Sequence, residues 1–164
     1  MKKEFRLYNL LFPIWFLLLY PLSWGAVLPI NFVVDLLVLW LCFRHWKLPF
    51  RQVWKREIWL CWIFGFLGDI VGCTLLLASN FIPGAWWYDQ IIEPLSTQPY
   101  SSVWAVLLIL AAMLLASLCI YLLDRFLVFR RRGRALAHKL ALVFAIATTP
   151  VTLLVPSVWL YSLL

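Results

Sequence analysis

Apolar residues fill this chain in five long stretches, separated by short polar ones. The stretches lie at about 7–26, 27–43, 58–82, 103–123 and 140–164. About 20 apolar residues at 1.5 Å each cross a ~30 Å hydrocarbon core, so each stretch reads as a membrane-spanning helix. The expected fold class is therefore all-α: a multi-pass transmembrane helical bundle of five helices forming a single integral membrane domain. Pro29 and Asn31 lie where the first two stretches meet, which predicts a tight turn there. The opening "MKKEFR" before an apolar run imitates a signal peptide, with Ser23-Trp24-Gly25 as a passable cleavage site. Pro13 and the length of the run favour a retained span instead.

Composition removes the soluble alternative. The 164 residues are 65% hydrophobic and 13% charged, with a mean hydropathy of +0.94, too little polar surface for a water-facing exterior. Eleven Trp, six Tyr and twelve Phe suit aromatic belts at both membrane surfaces.

Charge then orients the chain. All 14 Lys and Arg precede the first stretch (Lys2, Lys3, Arg6) or lie in the connections 44–57 and 124–139. With five spans these positions share one side, which the positive-inside rule makes cytoplasmic. The N-terminus is then cytoplasmic and the C-terminus outside, with a bacterial cytoplasmic membrane as the expected location. In the first inner connection Lys47, Arg51 and Lys55 recur every four residues beside Trp46, Phe50 and Trp54, the pattern of a short interfacial helix. The second carries Arg130, Arg131, Arg132 and Arg134. Both are expected to meet anionic lipid headgroups, and topology accounts for their charge without nucleic acid. The tetrads "LCFR" (41–44) and "LVFR" (127–130) hint at two copies of a helical hairpin. The outer connection, 83–102, carries Asp89 and Glu93 and no base; a lid over an outward cavity and a membrane-hugging connector both fit it.

Asp35 and Asp69 fall halfway along the second and third stretches, at similar depth. An Asp at a helix centre costs about 2.5–3.5 kcal/mol on insertion, so neither is expected to face lipid. Gly65, Gly68 and Gly72 form a stripe beside Asp69, and Gly68-x-x-x-Gly72 is the spacing that lets two helix backbones approach. The acid is expected to face that seam. Asn31 lies one turn before Asp35, and Thr148 and Thr149 precede Pro150 at mid-depth in the fifth stretch. Asp35, Asp69, Asn31, Thr148 and Thr149 are thus the candidates for one polar pocket. Cys42, Cys61, Cys73 and Cys119 lie inside apolar runs and read as small buried hydrophobes rather than as a disulfide or metal set.

No hydrolase, P-loop, dinucleotide or metalloprotease fingerprint is present, so no catalytic residue, metal or cofactor is expected. The leading expectation is a transporter or channel-like subunit for a small solute or cation, with Asp35 and Asp69 as proton- or ion-responsive groups. Five helices are few for a complete carrier, which implies a second copy or a partner membrane subunit. The alternative is a non-catalytic scaffold or assembly subunit that uses the glycine seam to bind another membrane protein. An intramembrane enzyme is a third.

Overall fold

The computed structural model describes residues 24–48 and 50–156, with side chains at 26 and 50–55 outside that description. The first expected span up to residue 23, and the last stretch from 157, lie outside the described residues. Among those described, all regular structure is helical. Long helices α1 (Trp24–His45) and α2 (Phe50–Ser79) are followed by the short helices α3 (Ala85–Trp87) and α4 (Glu93–Ser96). The long helices α5 (Val103–Leu123) and α6 (Arg134–Ala147) complete the set. Four segments are long and apolar enough to cross a membrane: Val27–His45, Arg56–Ser79, Val103–Arg132 and Arg134–Leu154.

Several boundaries differ from the sequence expectation. Pro29 and Asn31 are inside α1 and not at a turn. A proline near a helix start forfeits one hydrogen bond, which membrane-type helices tolerate. Helix α2 begins at Phe50 and runs for 30 residues, about 45 Å, so Arg51 and Lys55 stand on its first turns rather than on a separate helix. The α1–α2 connection is correspondingly short. It turns at Lys47, whose φ of 53° is the left-handed conformation of a helix C-cap, and Leu48 N–H returns to Phe43 O at 2.9 Å. The stretch 124–139 is also mostly helical. Asp124–Val128 forms a π-helical turn and Phe129–Arg132 a 3₁₀ turn, and the chain breaks at Gly133, where φ is 80°.

Helix α2 is the central element, packed most extensively on α5 and next on α1. Its interface with α5 rests on residue size. A Cβ at Gly68 would lie 2.4 Å from Ile120 Cγ1 and 3.0 Å from Ala116 O, and one at Gly72 would lie 3.1 Å from Ala112 O. Glycines four apart on α2 thus meet alanines four apart on α5, and the backbones touch. The glycine seam is filled from within the chain, so it offers no open face to another protein. On the opposite side of α5, Leu107, Leu110, Leu114, Leu118 and Leu122 are exposed, as suits a lipid-facing row.

Two apolar cores result. One joins Leu39, Phe43, Ile58, Ile120, Phe129, Leu140 and Phe144 from all four long segments. The other joins Leu76, Leu95, Ile109, Met113 and Leu153. Leu95 comes from the connection 83–102, which is a chain of short helical turns with Trp87 Nε1–H donating to Ser79 O at 2.9 Å. Between the cores, at the level of residues 65–69 of α2, the polar residues gather. The tetrads 41–44 and 127–130 follow one burial pattern: Leu41 and Leu127 exposed, Phe43 and Phe129 buried, Arg44 and Arg130 exposed.

Gly68→Leu is expected to cost about 1–3 kcal/mol through overpacking, read as a lower thermal unfolding midpoint in detergent. Gly25→Ala, where an added Cβ meets nothing within 4 Å, is expected to stay within about 0.5 kcal/mol of the parent.

Candidate functional site

The polar level holds a cavity of about 340 Å³ lined by α1, α2 and the end of α6. From α1 come Val27, Ile30, Asn31, Val34 and Asp35, spaced three and four apart and so on one helix face. From α2 come Gly65 and Asp69, and from the α6 end come Ala147 to Thr152. The structure therefore brings Asp35, Asp69, Asn31, Thr148 and Thr149 to one place. None of the residues 83–102 lines the cavity.

Each polar group is held by a traceable cause. Gly65 makes room for the Asp35 carboxyl, since a Cβ there would lie 3.3 Å from Asp35 Oδ2. The glycine stripe thus divides, with Gly65 facing α1 while Gly68 and Gly72 face α5. Asp69 follows Gly65: it turns to the cavity and α1 and not, as expected, into the α5 seam. Asn31 Nδ2 donates to Asp69 Oδ2 at 3.3 Å. Asp69 Oδ1 is buried with no hydrogen-bond partner. Helix α6 stops at Ala147 because Pro150 has no N–H to give and disfavours helical geometry at Thr149.

The threonine hydroxyls then close the freed helix end. Thr148 Oγ1 donates to Phe144 O at 2.9 Å and Thr149 Oγ1 to Ala145 O at 2.8 Å. Ser117 Oγ and Thr149 Oγ1 are 2.8 Å apart; with the Thr149 proton already committed, Ser117 is the donor. The site consequently presents acceptors. Two carboxyl and two hydroxyl side chains line the space, while one N–H of the Asn31 amide and both threonine protons are spent on protein partners.

The basic end was only partly read from sequence. Arg130, Arg131 and Arg134 are exposed, as is Lys47, and the side chains of Arg51 and Lys55 lie outside the described residues. Arg132, grouped with them as a headgroup residue, turns inward instead. Its guanidinium forks onto Glu57, with Nε to Oε1 at 3.1 Å and Nη2 to Oε1 and Oε2 at 3.0 and 3.2 Å. It also lies 4.7 Å from the Phe43 ring centroid. The pair is 13% and 9% exposed, and it ties α1, α2 and the end of α5 together. Both basic connections therefore converge on one end of the bundle.

Sequence reasoning also took Asp35 and Asp69 as the only deep charges and missed Asp124. That residue is 0% exposed, with the Cys61 thiol of α2 facing its carboxyl. Its place beside an arginine-rich stretch concealed it; the signal available was its spacing, one turn past Ile120 on the inward face of α5. Cys42, Cys61 and Cys73 are buried and Cys119 half-buried. Among the described residues no group of three or more His, Cys, Asp or Glu is arranged to hold a metal ion. No protein-family model, curated protein or solved structure matches this chain.

Arg132→Met alone is expected to destabilise by about 3 kcal/mol or more, because it strands the Glu57 carboxylate. The double variant Glu57→Leu with Arg132→Met is expected to regain most of that loss, measured as a double-mutant cycle of unfolding free energies.

Proposed function

We propose that this is an integral membrane protein that binds a small organic cation in the cavity between α1, α2 and α6, as a transporter or channel-like subunit. The observation that carries the reading is the acceptor-rich, donor-poor lining. Asp35, Asp69, Thr148 and Thr149 line the space, and Asp69 Oδ1, buried beside it, has no hydrogen-bond partner. A buried acceptor without a donor costs about 1–3 kcal/mol, and an ammonium group supplies both the missing donor and the missing charge.

Size favours an organic cation over a bare metal ion. About 340 Å³ falls within the ~300–1,000 Å³ of small-molecule sites, whereas a metal ion needs a close oxygen cage. Val27, Ile30, Val34 and Val151 line the same space and suit an apolar body attached to the charged head. Orientation follows the positive-inside reading, with Arg130, Arg131 and Arg134 on the cytoplasmic side against anionic headgroups. A second copy or partner subunit would complete a translocation path. The scaffold alternative loses its proposed contact surface, since α5 already fills the glycine seam.

The test uses purified protein in lipid nanodiscs and proteoliposomes, with butylammonium as probe. Binding is expected for butylammonium and weaker for tetramethylammonium, which has no N–H to give. Asp35→Asn and Asp69→Asn are each expected to weaken butylammonium binding about 10- to 100-fold, the worth of one charged hydrogen bond, with unfolding midpoints unchanged. Butylammonium binding that survives in the double Asn variant sinks the reading.

A further inference from the structure

Two of the membrane-length segments share a boundary at the basic end, where Arg56 opens one and Arg132 closes another. Between them is a crevice of about 90 Å³, which shares no residue with the mid-depth cavity. Arg56, Glu57 and Leu60 line it from α2, and Leu127, Arg130 and Arg131 from the turns that follow α5. Its arginines differ from others in the chain. Arg132 is forked onto Glu57, Arg125 donates to the Tyr121 hydroxyl, and Arg44 lies over the Trp40 ring. The side chains of Arg56, Arg130 and Arg131 are exposed and make no hydrogen bond or ring contact among the described residues. Glu57, the one acid lining the crevice, is already taken by Arg132. Four guanidinium groups thus surround one carboxylate, and the excess charge is positive.

We propose that this crevice binds the terminal phosphate of a membrane lipid, phosphatidic acid being the simplest of that class. Depth argues for a lipid. The arginines stand where two spans end, at headgroup level, and Leu60 and Leu127 lie about one helical turn closer to the hydrocarbon. Leu127 is exposed and Leu60 half-buried, so acyl chains below a phosphate held by the arginines run along them. Chemistry argues for phosphate. Guanidinium forks match its oxygens two at a time, and a phosphate monoester carries about −1.5 to −2 charges at pH 7. Size argues against a bulky headgroup, since about 90 Å³ is the share of about three waters in the liquid. General attraction of a basic end to anionic membranes needs no crevice; a phosphate in this one bridges α2 and the 127–131 turns.

Native mass spectrometry of the detergent-purified protein, titrated with phosphatidic acid in a background of phosphatidylcholine, counts the lipids held by each chain. One tightly bound phosphatidic acid is expected, and no equivalent species for phosphatidylcholine. Arg56→Gln, and Arg130→Gln combined with Arg131→Gln, are each expected to weaken that binding about 10-fold or more. These side chains are exposed and stand on two different elements, so either variant serves if the other does not fold. Lys139→Gln, which removes an exposed charge outside the crevice, is expected to leave binding within about twofold of the parent. Equal weakening by Lys139→Gln reduces the effect to general charge attraction and overturns the proposal. Undiminished binding in the Arg130 and Arg131 double variant overturns it as well. Inorganic phosphate in large excess is expected to leave the lipid in place; displacement assigns the crevice to free phosphate and overturns the lipid assignment.

Discussion

Backbone contact between α2 and α5 is the constraint from which the rest of the bundle follows. Helices reach that distance only where neither carries a side chain larger than a methyl group. Gly68 and Gly72 against Ala112 and Ala116 supply such a place. With that face of α2 fixed on α5, the adjacent face carrying Gly65 and Asp69 is set toward α1. The carboxyl of Asp35 then fits against the bare Gly65, and α6, cut short before Pro150, leaves the space above it open. The cavity is thus the remainder left when three helices pack against a fourth and one of them ends early.

The polar residues at this level differ from those of an ordinary interhelical network. In such a network donors and acceptors match, and the result is glue of about 0.6–2 kcal/mol per bond. Here the donors are consumed locally. Thr148 and Thr149 return their protons to the carbonyls of their own helix, and Asn31 gives an N–H to one oxygen of Asp69. The surplus is mainly of acceptors. A surplus of one kind inside a low-dielectric bundle is a cost to folding, and it is offset when a ligand of the complementary kind arrives.

Much of this was legible from the chain. Membrane-length apolar stretches left Asp35, Asp69, Asn31, Thr148 and Thr149 few places to go, and residues that cannot face lipid tend to meet one another. The Gly-x-x-x-Gly spacing announced a close helix approach but not its partner, because Ala112 and Ala116 look like any alanines in an apolar run. Pro29 misled: proline marks turns in most chains, yet here it sits within α1. Arg132 and Asp124 were hidden by their surroundings. In a cluster of arginines nothing local distinguishes the one that pairs with Glu57, a residue 75 positions away. An acid beside such a cluster reads as solvated until the helix is seen to carry it inward.

The two kinds of buried charge in this bundle are treated differently, and the difference bears on function. Glu57 and Arg132 are paired through three short contacts, so desolvation of each is met by the other, and the pair holds three segments at the basic end. Asp69 and Asp124 each keep at least one oxygen without a partner. A fold whose only demand was stability would be served as well by Asn or Leu at those positions, since neither acid completes a network.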